Sequence, residues 1–426
     1  MEWVRHIQEL QNIITVLFFV CCFYQLLYII VPLFKRPKAH GPEKHHRYAV
    51  LIAARNEENV IGCLLDSIRE QDYPDDLVEV FVVADNCTDA TARVARERGA
   101  VVYERYNETM VGKGYALDYL LRQMEEDGAV YDGYLVFDAD NLLKKDYITQ
   151  INRTFSDGYE IVTSYRNSKN YGDSWISSGC SLWFLRETAG LNEPRYLLGT
   201  SCAVSGTGFL FSRKVLEENG GWPFHLLTED VEFSTVEILK GRRIGFCGEA
   251  EYFDEQPVEL RQSARQRLRW SKGYIQVMLR HGGALLRGSF RKGGFACFDM
   301  LMSIMPAIVL GCVGVLTSAA SLLTALITGE GLRLVVRSLV LGTVGGLILL
   351  FLLGAVTLIS QWNRVPATPW QKFRSLLTFP FYTATCLPIS VAAVFCRVEW
   401  RPIRHTVAVS RVTLPVRRKK RAGKAS

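Results

Sequence analysis

Three regimes of hydrophobic patterning follow one another along the chain. Residues 13–34 (IITVLFFVCCFYQLLYIIVPLF) are apolar but for Gln25, long enough to cross a bilayer core of ~30 Å as a single helix. From Arg47 the pattern changes to short Val/Ile/Leu/Phe runs alternating with amphipathic stretches. RYAVLIAARN, VEVFVVADN, AVVYERY and YLVFDADN read as strands. The helices between them are expected over about Glu58–Glu70, in TARVARERG and in GKGYALDYLLRQMEEDG. Near-continuous apolar strands separated by helices predict an α/β domain with a parallel sheet covered on both faces. A further amphipathic helix is expected from about Gln262 to Arg280. Beyond it come apolar runs at about Met305–Thr328, Leu334–Ser360 and Leu376–Cys396, the last interrupted by Pro380 and Pro388.

This patterning divides the chain into an N-terminal transmembrane anchor (1–34), a basic linker (35–46) and an α/β domain (47–257). An interfacial amphipathic region (258–292), C-terminal membrane helices (293–397) and a closing basic segment (398–426) complete it. KRPK directly after the anchor places that end, and the domain after it, in the cytoplasm. The expected location is the cell membrane, with several passes. Three full crossings after the domain would put the basic tail outside, against the charge rule. The Pro-interrupted segment is therefore expected to be interfacial or re-entrant.

Composition adds little beyond this. The net charge of +7 is concentrated in tracts such as the tail RVTLPVRRKKRAGKAS, which suits anionic membrane lipids. The domain itself is not basic, so nucleic acid is not an expected partner. The eleven cysteines show no CxxC pair, consistent with reduced, structural thiols in a cytosol-facing protein.

In parallel α/β sheets, ligands bind beyond the carboxyl ends of the strands. The polar residues at those ends are Asn56, Glu57, Asp85, Asp138 and Asp140. Asp138 and Asp140, in FDADN, can share a divalent ion such as Mg²⁺ or Mn²⁺ and leave positions open for phosphate oxygens. Taken alone, such a DxD also occurs in ordinary surface turns. Lys113 adds a cation at a glycine-flanked helix start, where backbone N–H groups favour phosphate. Neither GxxxxGK[ST] nor GxGxxG is present.

In HLLTEDVEF, Thr228 reads as an N-cap, with Glu229 and Asp230 at the positive end of the helix. If Asp230 faces the metal, it can take a proton from an incoming hydroxyl. In QRLRW, Gln266, Arg269 and Trp270 share one helix face. Arg269 can grip a phosphate and the Trp270 indole can pack on a sugar ring. An interfacial helix with arginines at headgroups and a belt tryptophan would show the same pattern.

Asp85, Asp138-Ala139-Asp140, Thr228-Glu229-Asp230 and Gln266-Arg267-Leu268-Arg269-Trp270 occur in the order of the D, DxD, TED, QxxRW set. The chain thereby resembles the membrane-embedded family 2 glycosyltransferases: cellulose, chitin, hyaluronan and poly-N-acetylglucosamine synthases. The resemblance implies a GT-A (Rossmann-like) catalytic domain. It implies that Asp85 contacts the uracil of a UDP-sugar, with Ala53 and Glu57 lining the nucleotide pocket and Lys113 nearby. Asp138 and Asp140 would hold the Mg²⁺ or Mn²⁺ and the diphosphate, with Gln266 and Arg269 binding that diphosphate as well. Asp230 would be the catalytic base. Trp270 would lie beneath the acceptor sugar, with Glu229 and Thr207 (of Ser205-Gly206-Thr207-Gly208) also on the acceptor side. VEWRPIRHT sits where relatives carry a gating loop, which would give Trp400, Arg401 and Arg404 that role. An ordinary juxtamembrane loop would look similar.

The expected activity is inverting transfer from a UDP-sugar, with processive synthesis of a β-linked polysaccharide. The acceptor is a carbohydrate or a lipid-linked one, and an accessory membrane subunit is among the partners to look for. Two alternatives remain: transfer of one sugar to a membrane lipid, as in the ceramide glucosyltransferase group, and a non-enzymatic nucleotide-binding transport or scaffold protein.

Overall fold

The computed structural model describes residues 2–128, 130–329 and 331–400. Eight strands form one sheet: β1 (Tyr48–Ala54), β2 (Val78–Asp85), β3 (Val101–Arg105), β4 (Gly133–Asp138), β5 (Leu142–Leu143), β6 (Ile161–Ser168), β7 (Phe209–Ser212) and β8 (Ile244–Asp254). Their order across the sheet is β3-β2-β1-β4-β7-β6-β8-β5. β1 is buried on both faces because alternate residues meet different layers. Val50 and Ile52 share a core with Ile61, Leu64 and Ile68 of the helix Ile61–Arg69. Ala49 and Leu51 point the other way, into a core with Leu117, Leu120 and Met124 of the helix Lys113–Glu126. Each such aliphatic side chain contributes about 1.5–3 kcal/mol on burial, which fixes the register of the strand that ends at the cleft.

The parallel sheet expected from the first half of the domain holds for β3, β2, β1 and β4. The rest is mixed, which corrects that expectation. β7 runs antiparallel to both β4 and β6, β6 and β8 are parallel, and β5 is antiparallel to β8. The reversal has a local consequence. With Val136 opposite Phe209, the turn before β7 comes to lie beside the end of β4. Thr207 is thus brought to Asp138, whose backbone N–H it accepts at 2.9 Å.

Among the described residues, four segments are long and apolar enough to cross a membrane: Asn12–Phe34, Gly311–Thr328, Leu332–Ser360 and Pro369–Phe395. The last, expected to be interfacial or re-entrant, is a pair of helices, Pro369–Ala384 and Cys386–Phe395, flanking Thr385. The N-terminal helix Glu2–Tyr28 is tied to the α/β domain by a buried polar knot. There Arg195 makes a two-pronged contact with Asp299 (2.7 and 3.0 Å), whose carboxylate also accepts from Tyr24 (2.6 Å) and Tyr28 (3.0 Å). A buried pair is tolerated when its remaining lone pairs are satisfied in this way.

Candidate active site

The six parallel strands end at one edge of the sheet, and a cleft opens there. Ala53, Glu57, Asp85, Lys113, Asp138, Asp140, Glu229, Asp230, Gln266, Arg269, Trp270 and Trp400 all line it. Nearly the whole predicted set therefore faces a single volume. Thr207 is the exception. It is 1% exposed, and its hydroxyl is taken up by the Asp138 N–H and by Asn141 Oδ1. It shapes the Asp138 loop, while its neighbours Ser205 and Gly206 line the cleft. Arg401 and Arg404 lie outside the described residues. Trp400 covers Arg55 at the cleft, with the guanidinium 5.2 Å from the ring centre.

Asp85 ends β2 with one carboxylate oxygen held by Arg105 Nη1 at 2.5 Å and Asn86 Nδ2 at 3.2 Å. Burial raises its carboxyl above the ordinary value, opposed by the Arg105 guanidinium. Lys113 opens its helix after Gly112 and bridges Asp138 Oδ1 and the carbonyl of Gly206, the latter at 2.8 Å. Asp140 Oδ2 accepts the Glu255 N–H at 2.8 Å. Among the described residues no group of three or more His, Cys, Asp or Glu side chains forms a metal cage. The two cleft carboxylates fit a different kind of site, an oxygen-only donor set that diphosphate and water would complete, which suits Mg²⁺ or Mn²⁺.

Glu229 and Asp230 open the helix Glu229–Leu239. Burial and the neighbouring Asp230 charge push Glu229 up to about 7, against the pull of Lys113. Burial likewise raises Asp230, while backbone N–H groups and Lys113 favour its charged form. Facing them is the helix Leu260–Ser289, longer at both ends than expected. It presents Arg269, which donates to the Leu227 carbonyl at 3.3 Å, and Trp270, packed edge-on against Phe184 at 5.6 Å. Gln266 Oε1 is buried without a hydrogen-bond partner among the described residues, an acceptor directed at a cleft that a ligand would fill. Two carboxylates of raised pKa, two cations and an orphan amide in one crevice are groups that can bind a diphosphate and take up a proton.

The profile of glycosyltransferase like family 2 matches residues 45–273, more than half of the chain and all of the cleft except Trp400 and Tyr274. The chain belongs to this family. It is a transferase enzyme with a GT-A fold, which sets aside the non-enzymatic scaffold. Among curated family 2 relatives, it is 27% identical over 252 residues to the probable glycosyltransferase YdaM of Bacillus subtilis, covering 55% of this chain and 56% of that protein. It is 26% identical over 274 residues to a beta-monoglucosyldiacylglycerol synthase of Nostoc sp., covering 62% of this chain and 56% of that one. It is 24% identical to a poly-beta-1,6-N-acetyl-D-glucosamine synthase of Staphylococcus aureus, with 60% and 61% covered. The chain thus spans less than two thirds of these relatives. The mannosyltransferase PcManGT of Pyrobaculum calidifontis, solved with GDP-Man and Mn²⁺, superposes with a TM-score of 0.61 at 19% identity, over 91% of this chain and 99% of that one. That likeness concerns the fold.

The family 2 cleft also contains residues that the motifs did not mark. Arg166 at the end of β6 pairs with Asp254 at the end of β8 (2.6 Å) and lies 3.5 Å from the ring centre of Phe184. Burial and the Asp140 charge push Asp254 up to about 6, against the pull of Arg166. Glu187, Trp183 and Tyr274 complete the wall. Only the strand-end rule, applied to strands that the sequence pattern had not revealed, could have found Arg166 and Asp254.

Proposed function

We propose that this chain is an inverting glycosyltransferase that takes a UDP-sugar in the cytoplasm and extends a β-linked polysaccharide at the cell membrane. The observation that carries this reading is the convergence of Asp230, Lys113, Asp138 and Arg269 on one cleft. An acceptor hydroxyl oxygen attacks the anomeric carbon, and its proton goes to Asp230, whose raised pKa makes it a stronger base. The bond from that carbon to the diphosphate oxygen breaks on the opposite face, and UDP leaves with the electron pair. Lys113 and Arg269 meet the charge that develops on it. Mg²⁺ or Mn²⁺ at Asp138 and Asp140 would add further positive charge at the diphosphate. One base and direct displacement give inversion.

The position of Trp400 supports a re-entrant final segment. From Phe395 to Trp400 the chain can reach at most roughly 18 Å, short of a bilayer core of ~30 Å. Trp400 nevertheless stands over Arg55 at the cleft, so Pro369–Phe395 returns to the side it left. The nucleotide cleft and the end of the described chain then share the cytoplasmic face.

A second reading is transfer of a single sugar to a membrane lipid. It draws on the glucosyldiacylglycerol synthase among the relatives and on the four apolar segments among the described residues. Reconstituted protein given a panel of UDP-sugars with Mg²⁺ or Mn²⁺ decides between them when radiolabelled product is sized. Long, glycosidase-sensitive chains support the polymer. One sugar on an extractable lipid selects the second reading, and absence of UDP release contradicts both.

A further inference from the structure

Glu187 stands in the cleft near Asp230 and Tyr274, and among the described residues no cation pairs with it directly. One of its carboxylate oxygens accepts the Ser205 hydroxyl at 3.0 Å. Arg166 and Arg186 pull on it through space, but their guanidinium groups are directed elsewhere, Arg166 to Asp254 and Arg186 to Gln25 of the anchor helix at 3.1 Å. Burial accordingly holds its carboxyl above the usual range. A carboxylate kept in this state is a standing electrostatic cost, one that structures retain where a ligand meets the group.

The backbone delivers it deliberately. The helix Trp175–Leu185 continues into a π-helical segment, Arg186–Asn192, a widened turn that is uncommon and occurs mostly at functional sites. From consecutive positions at its start, Arg186 reaches the anchor helix and Glu187 faces the cleft. Around Glu187 the cleft wall is aromatic: Trp183, Phe184, Trp270 and Tyr274. Aromatic faces cover the C–H surface of a pyranose, and an adjacent carboxylate accepts charge-assisted hydrogen bonds from its hydroxyls.

We propose that Glu187 binds hydroxyls of the acceptor's terminal sugar, holding that ring against Trp270 with the attacking oxygen at Asp230. Ser205 acts as a positioning residue for the carboxylate. The inference rests on the transferase reading and deepens it. A site that offers a carboxylate to several hydroxyls is built for a sugar, whereas a diacylglycerol presents a single one.

The test compares wild type, Glu187→Gln and Ser205→Ala in the reconstituted full chain. The acceptor probes are short β-linked oligosaccharides of glucose or N-acetylglucosamine, and vesicles containing dioleoylglycerol. With the UDP-sugar that wild type turns over, Glu187→Gln is expected to raise the oligosaccharide KM by roughly tenfold or more. Ser205→Ala should raise it less, and the Kd for UDP should be unchanged in both. An unchanged oligosaccharide KM in Glu187→Gln overturns the assignment. So does an equal loss of UDP affinity, or transfer to dioleoylglycerol that the substitution leaves intact. A wild-type protein that turns over no UDP-sugar removes the transferase reading itself, a failure separate from that of Glu187.

Discussion

Arg267 and Thr385 join the catalytic helix to the membrane part of the molecule. Arg267 Nη1 donates to Thr385 Oγ1 at 2.6 Å, at the residue between the two C-terminal helices, and its guanidinium stacks 4.5 Å from the Tyr382 ring centre. The same nitrogen reaches the Tyr382 carbonyl and Cys386 Sγ, both at 3.3 Å. Gln266 and Arg269 face the cleft from one side of this helix, while Arg267 locks its other side. This explains the composition of QRLRW: its two arginines serve different partners. Arg267→Lys keeps the charge but loses the planar fork and the stacking. It should lower stability by about 1–3 kcal/mol, read as a lower Tm in detergent, and should reduce kcat more than UDP affinity.

Gly273, one turn further along that helix, approaches the catalytic loop closely. A Cβ at this position would stand 2.4 Å from Thr228 Cγ2 and 2.5 Å from its hydroxyl. Gly273→Ala forces Thr228, and with it Glu229 and Asp230, to move. Overpacking of this kind destabilises by about 1–3 kcal/mol, so the variant is expected to melt earlier and to lose turnover. Gly283→Ala, on the same helix with no atom within 4 Å of the added carbon, should do neither.

Much of this was legible in the sequence, for reasons that differ along the chain. In β1, β2 and β4 the apolar runs reflect burial on both faces, and the polar residues that end or follow them, Arg55, Asp85 and Asp138, reach the cleft. The D, DxD, TED and QxxRW residues could be read because each set is local. β6 was not legible: IVTSYRNS turns polar halfway along, since Arg166 enters the cleft and Asn167 bonds Glu251 and the Arg364 carbonyl. β8 is similarly obscured by the register shift opposite Ser164 and Tyr165. The contact of Thr207 with Asn141 was not legible either, because the antiparallel return of β7 that makes it is a long-range pairing with no local signal. Glu187 depends on a π-helical turn, which has no hydrophobic periodicity of its own.

The Glu229–Asp230 pair makes stability depend on pH with a definite sign. Glu229 is raised from 4.5 to about 7 in the folded protein. Its contribution to stability is therefore fully present below about pH 4.5 and is lost as pH rises through about 7, at up to about 1.4 kcal/mol per pH unit in that window. Glu229→Gln removes this titration. Relative to wild type, its Tm should be little changed at pH 5 and higher at pH 8. A Tm difference that does not vary with pH would show that Glu229 titrates normally.

The most direct test of the account is Asp230→Asn in the reconstituted chain, with UDP release and UDP affinity measured on the same preparation. A general base contributes roughly 10²–10⁴-fold to rate. Turnover is predicted to fall by at least roughly a hundredfold while the Kd for UDP stays within error of wild type, because the proposed nucleotide contacts are made by groups other than Asp230. Turnover near the wild-type rate would contradict the assignment of Asp230 as base, and with it the inverting displacement proposed for this cleft.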